Sequence, residues 1–172
     1  MISAIILNWQ RPDFVRRIIS RLDESDRVGE IIVWNNNPEV HLTPPADKAR
    51  VVNCSEDCGL FTRFAAASLA SNECILFHDD DLIAEEQTLE RLYEYWSKAP
   101  MSCHTLFGRN ASASAEYTRQ VLYGPVEMVL TRYTMVHRQT CVHALSRAPR
   151  FADLPGVPVG NGEDIILSYA AM

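Results

Sequence analysis

In the first half of the chain, short apolar runs alternate with segments of helical periodicity. That alternation restricts it to an α/β architecture. Ser3-Ala-Ile-Ile-Leu7 is an apolar run of the kind expected for a strand covered on both faces. Pro12 suits a first helical turn, and Phe14, Val15, Ile18, Ile19 and Leu22 then recur at helical spacing, with Arg16, Arg17 and Arg21 off that face. Glu30-Ile-Ile-Val-Trp34 is a second buried-type strand, ended by the turn signal Asn35-Asn-Asn-Pro38, and Thr43-Pro-Pro-Ala46 is loop. Arg50-Val-Val-Asn53 makes a short third strand, and Leu60, Phe61, Phe64, Ala65 and Leu69 indicate a helix over 59–71. Cys74-Ile-Leu-Phe77 is the fourth strand, and a helix with Leu89, Leu92, Tyr93 and Trp96 on one side follows. This order predicts a mixed, mainly parallel sheet flanked by helices.

The second half carries weaker signals. Thr105-Leu-Phe107 and 126–131 read as strands, 109–115 and 151–162 as loops, and 133–146 as one helix through Val136, Cys141, Ala144 and Leu145. A last helix is expected from Glu163 to Met172, with Ile166, Leu167 and Tyr169 on its apolar side. No linker divides the chain, so 1–172 is expected to form a single domain. At 172 residues such a chain buries roughly 70% of its unfolded surface and needs no disulfide or metal to fold.

Charge narrows the partners. With 16 basic and 22 acidic residues the net charge is -6, which argues against tracking a nucleic-acid backbone. No apolar run approaches the ~20 residues of a membrane span. Five cysteines without a leader-like N-terminus imply a soluble protein of a reducing, cytoplasmic compartment. Cys54-x-x-x-Cys58 has no second pair to complete a zinc site, and the five histidines show no metal-helix spacing, His78 being notable only for bordering aspartates.

Three polar clusters fall at strand ends, where open α/β sheets bind ligands. They are Asn8-Trp-Gln-Arg11, Asn35-Asn-Asn37 and Asp79-Asp-Asp81. Asp79 and Asp81 are two hard oxygen donors that suit Mn²⁺ or Mg²⁺ completed by phosphate oxygens; an acidic helix start is the plainer reading. Arg63 either reaches a phosphate or lies on a solvated helix face. Asn8, Asn35 and Asn36 either bind a base and ribose or serve turns, and Trp9 either stacks on a ligand or packs in the core, the place expected of Trp34. Glu163 and Asp164 open the last helix, as caps or as catalytic carboxylates. Gathered at one edge, these acids predict a repulsive site that a divalent cation turns toward a diphosphate.

With these residues in view, the chain resembles nucleotide-sugar glycosyltransferases of the Rossmann-like GT-A fold, and most closely the exostosin-type family of heparan sulfate synthesis. Ile5-Ile-Leu-Asn-Trp-Gln-Arg11, Ile31-Ile-Val-Trp-Asn-Asn36, Leu76-Phe-His-Asp-Asp-Asp81, Val129-Leu130 and Asn161-Gly-Glu-Asp-Ile165 are similar, in order, to that family's segments. The resemblance implies transfer of a sugar from a UDP-sugar to a glycan or other hydroxyl acceptor, with retention at the anomeric carbon. It implies that Asn8, Arg11, Asn36 and Arg63 hold the uridine diphosphate, that Asp81 with Asp79 holds the metal, that Asp80 meets the ribose or sugar, and that Asp164 lies near the reacting carbon. Residues 1–98 would form the nucleotide half and 99–172 the acceptor half. A half so short leaves room for a second subunit, a partner protein or a membrane surface to complete the acceptor site. Two alternatives are a non-catalytic nucleotide- or glycan-binding relative and a sugar-phosphate nucleotidyltransferase. The latter would want a glycine-rich loop where Asn8-Trp-Gln-Arg-Pro12 stands.

Overall fold

The computed structural model describes residues 1–110, 124–152 and 162–172. Its first elements are β1 (Ile2–Asn8), α1 (Pro12–Asp23), β2 (Val28–Asn35), β3 (Ala49–Asn53), α2 (Thr62–Ser68) and β4 (Cys74–His78). Then come α3 (Glu86–Lys98), β5 (His104–Thr105), β6 (Gly108–Arg109), β7 (Met128–Val129), β8 (Tyr133–His137), α4 (Arg138–Ala152) and α5 (Glu163–Ala170). A six-stranded sheet runs β3-β2-β1-β4-β8-β5. The first four of these are mutually parallel, and β8 runs antiparallel to both β4 and β5. The sheet is therefore mixed and mainly parallel, as expected.

Side-chain alternation along the strands builds two cores. Ile2, Ala4 and Ile6 of β1, Ile31 and Val33 of β2, and Cys74 and Leu76 of β4 pack on one face with Val15, Ile18 and Ile19 of α1 and Leu89 and Leu92 of α3. Ile5, Ile32, Ile75 and Phe77 point the other way, against Phe64 of α2, Cys141 and Ala144 of α4, and Ile166 and Leu167 of α5. Helices on both faces explain why these strands read as continuous apolar runs. Tyr93 and Trp96 of α3 are only partly buried and stack on each other at 5.8 Å. Trp34 packs partly buried against the second core, near its expected place.

The second half departs from the sequence reading: the strand expected over 105–107 is His104–Thr105, Arg109 pairs in a strand, and two larger differences follow. The helix expected over 133–146 is a buried strand, β8, followed at once by α4. The β-branched and aromatic run Tyr-Thr-Met-Val pairs with β4, and the first helical residue, Arg138, is tied by its N–H to the Glu73 carbonyl at 2.8 Å. Of the strand expected over 126–131, only Met128–Val129 pairs, with Gly108–Arg109, in a separate two-stranded sheet. The loop expected over 151–162 and most of that over 109–115 lie outside the described residues. All five cysteines are free, and burial alone pushes the Cys74 and Cys103 thiols up to about 12. Among the described residues no helix is long and apolar enough to cross a membrane.

The connectivity fixes where a ligand belongs. From β1 the chain moves outward to β2 and β3, then returns to β4 on the other side of β1. The crevice between the carboxyl ends of β1 and β4 is thus a topological switch point.

Candidate functional site

The segments leaving β1 and β4 meet across that switch point. Arg11 Nη1 donates to Asp80 Oδ1 at 2.7 Å, and the Trp9 N–H points to Asp80 Oδ2 at 3.4 Å. The hydrogen bond to Asp80, then the charge of Asp80, and further off those of Asp81 and Asp79, hold the Arg11 guanidinium more firmly charged. Trp9 is 43% exposed, so its ring is presented to solvent at the crevice and is not core.

Next to it, three asparagines form a ladder across strand ends in register. Asn8 Nδ2 donates to Asn35 Oδ1 at 2.7 Å, and Asn35 Nδ2 donates to Asn53 Oδ1 at 2.9 Å. Asn53 closes the ladder on the Leu42 backbone through both its amide atoms. Asn35 is therefore a brace for the β2–β3 turn. Asn36 Nδ2 donates to the Gly59 carbonyl at 3.0 Å, tying β2 to the start of α2. Two buried carbonyl oxygens, Asn8 Oδ1 and Asn36 Oδ1, have no hydrogen-bond partner among the described residues. Leaving a buried acceptor unpaired costs about 1–3 kcal/mol.

The aspartates differ from the repulsive edge expected of them. Each is matched to one arginine: Asp80 to Arg11, Asp79 to Arg63 at 3.3 Å, and Asp81 to Arg132 at 3.2 Å. The correction has a simple cause, since the three arginines arrive from α2, from the β1–α1 turn and from the segment before β8. The sequence separates them by up to 121 positions, 132 minus 11, so no local window displays the pairing. Among the described residues no three acidic, histidine or cysteine side chains gather as a metal cage. What remains is a two-carboxylate half-shell, Asp79 and Asp81, whose Oδ2 atoms accept no hydrogen bond among the described residues. Such a donor set fits a hard divalent cation that keeps water and phosphate oxygens for its other positions.

Arg63 does not lie on a solvated helix face. It is buried, and it spends its donors on the Leu60 carbonyl, the Thr131 carbonyl and Asp79. Its guanidinium also sits 5.8 Å from the centre of the Phe77 ring. The same node reaches the last helix. Gly162 takes φ 100°, a left-handed conformation that favours glycine, and turns the chain into α5. That turn places Glu163 in a buried position and brings Asp164 Oδ1 to the Thr131 N–H at 2.6 Å. Burial first of all, with Asp164 and Asp79 adding to it, pushes the Glu163 carboxyl up, and Arg63 opposes the shift. His78 is buried, edge-on to Tyr133 at 5.0 Å, and burial pushes its ring down toward the neutral form. Its Nδ1 lies 2.8 Å from the Asp79 carbonyl oxygen.

The carboxyl ends of four parallel strands, a Trp-and-arginine turn, an aspartate triplet and a returning carboxylate helix thus share one edge. A family model for the glycosyl transferase family 64 domain matches residues 2–170. The chain belongs to that family. Its fold is similar to that in the crystal structure of GalNAc-T7 with UDP, GalNAc and Mn2+, at TM-score 0.73 and 14% sequence identity. The match covers 99% of this chain and 40% of that one, so the chain spans well under two thirds of that protein's length. At this identity the likeness establishes the GT-A fold. No curated protein matches the chain. Three residues that contact the candidate site are not singled out by the sequence reading: Arg132, Asn53 and Thr131. Asn53 was visible only as a strand end, and the other two precede a strand that read as a helix.

Proposed function

We propose that this family 64 domain is a UDP-sugar glycosyltransferase of the exostosin type, transferring a hexosyl or N-acetylhexosaminyl group to a glycan hydroxyl with retention. The observation that carries the reading is the arrival of Asp164, on the last helix, at the switch-point edge that holds Asp79 to Asp81. Residues 1–98 form the nucleotide half in this proposal, and 99–172 face the acceptor. The free cysteines suit a reducing, cytoplasmic setting.

Each group has a task in the proposal. Asn8 and Asn36 shape the floor on which the base and ribose would rest, and Trp9 offers a stacking face. Arg11 donates to the diphosphate. Asp79 and Asp81 would hold Mn²⁺ or Mg²⁺, which when bound supplies positive charge to the departing diphosphate. Asp80 orients Arg11 and the Trp9 backbone. Asp164, one oxygen fixed by Thr131, turns the other toward the sugar carbon or the acceptor hydroxyl. Glu163 sets the charge of that end.

Thermal melting with UDP, GDP and CDP, each with and without Mn²⁺, tests the reading. Ligand at ~100 times its dissociation constant adds about 2.7 kcal/mol. For a domain of this size the midpoint should rise by roughly 5–10 °C with UDP and Mn²⁺ together. No shift with any nucleotide overturns the proposal. For Asp164→Asn we expect UDP release from the donor to slow by about 10²-fold, with UDP affinity within a factor of ~3 of wild type. Unchanged turnover would remove Asp164 from the chemistry.

A further inference from the structure

Resting on the donor-binding reading above, we propose that Arg132 couples cation binding to donor binding. In the nucleotide-free protein it neutralises Asp81, and on donor binding its guanidinium transfers to the diphosphate and releases Asp81 to the cation.

Arg132 differs from the other two arginines in how it is held. Arg63 is 5% exposed at its side chain and anchored on two carbonyls besides Asp79, so it cannot leave. Arg11 makes a 2.7 Å bond to Asp80 and feels all three aspartates. Arg132 makes a single 3.2 Å contact with Asp81, both side chains about 40% exposed (41% and 39%). An ion pair so open is worth a factor of about five at most. Its Nε is buried without a hydrogen-bond partner among the described residues, although a guanidinium carries five N–H donors.

The backbone of Arg132 is anchored, while its guanidinium rests against an aromatic ring. Its guanidinium lies 5.2 Å from the centre of the Phe107 ring, and its backbone carbonyl accepts the Asp79 N–H at 2.9 Å. The side chain therefore hangs from a backbone joined to the aspartate triplet, with donors to spare beside the proposed diphosphate position. Arginine prefers the paired oxygens of a phosphate to one carboxylate oxygen at 3.2 Å.

Opposite effects follow for two ligands. Removing the guanidinium frees Asp81, so Mn²⁺ alone binds more tightly. The same change deletes a charge-assisted contact, so UDP in the presence of Mn²⁺ binds more weakly. By linkage, the coupling between the two ligands falls.

The experiment uses the full chain as wild type, Arg132→Ala and Arg132→Lys. Mn²⁺ alone is titrated by water-proton relaxation, and UDP with and without Mn²⁺ by calorimetry. For Arg132→Ala we expect Mn²⁺ alone to bind about two- to fivefold tighter, and UDP with Mn²⁺ about tenfold weaker. Arg132→Lys should keep the wild-type Mn²⁺ affinity and recover part of the UDP affinity. If the alanine variant does not fold, Arg132→Gln carries the same two comparisons. A merely structural arginine would shift both affinities in one direction or neither. Mn²⁺ binding alone that is unchanged or weaker, or UDP affinity within twofold of wild type, overturns the coupling while the donor reading stands. Absence of Mn²⁺-dependent UDP binding in the wild type overturns the donor reading and this inference with it.

Discussion

An Asp81→Asn variant will bind UDP no better with Mn²⁺ than without it, and donor turnover will fall by about 10³-fold. The substitution keeps the shape of the side chain and removes its charge. Among the described residues, Asp79 and Asp81 are the two carboxylates proposed to meet the cation, so half of that anionic donor set disappears. The fold should not notice. Asp81 is exposed and its one partner among the described residues is Arg132, in an open ion pair worth about 1 kcal/mol or less. Equal melting midpoints for the free proteins, with loss of the Mn²⁺-dependent shift, is therefore the expected pattern. Asp79→Asn should lose the same shift and also some stability, since its partner Arg63 is buried. A full Mn²⁺-dependent shift in Asp81→Asn would sink the metal assignment.

The parallel half of the fold was legible because it is covered on both faces. Ile5-Ile-Leu7 and Ile31-Ile-Val33 bury both sides of their strands, and each run stops at an asparagine that the sheet places in register, Asn8 beside Asn35. Residues ending such strands fall at the switch-point edge by topology alone, which is why the placement of Asn8, Arg11 and Asp79 to Asp81 at that edge follows from order in the chain. Arg132 is not placed this way. It precedes β8, an antiparallel strand, and an antiparallel strand brings its amino end to the edge where its neighbours end. Finding it required knowing that Tyr133–His137 is a strand. No glycine or proline separates that strand from α4, and Val136, Cys141, Ala144 and Leu145 happen to fall at helical spacing. The role of Arg63 was hidden differently. Its partners Thr131 and Glu163 are far away in sequence, and a lone arginine on a short helix looks the same whether it faces solvent or a buried acid.

That buried placement makes Arg63→Met the substitution with the largest expected effect on stability. Breaking a buried ion pair by removing one partner costs roughly 3–5 kcal/mol, and about 3 kcal/mol applies here because Asp79 is a third exposed at 34%. The midpoint should fall by about 6–12 °C. Part of the loss will depend on pH, through Glu163. An unfolded glutamate titrates near about 4.3. In the folded protein burial pushes the Glu163 carboxyl above its ordinary value, and Arg63 is the group that opposes this. Below the unfolded value both states are protonated and Glu163 contributes nothing. As pH rises, the unfolded chain ionises first, so stability declines until the folded carboxyl also ionises. Without Arg63 that decline continues to higher pH. The deficit of Arg63→Met should thus be smallest near pH 5 and largest near pH 8 in urea denaturation. Adding Glu163→Gln should return part of the lost stability at pH 8 and flatten the slope, because a neutral amide needs no counter-ion. A deficit that is the same at both pH values, with nothing returned by Glu163→Gln, would show that Arg63 is not the counter-ion holding the last helix to the aspartate edge.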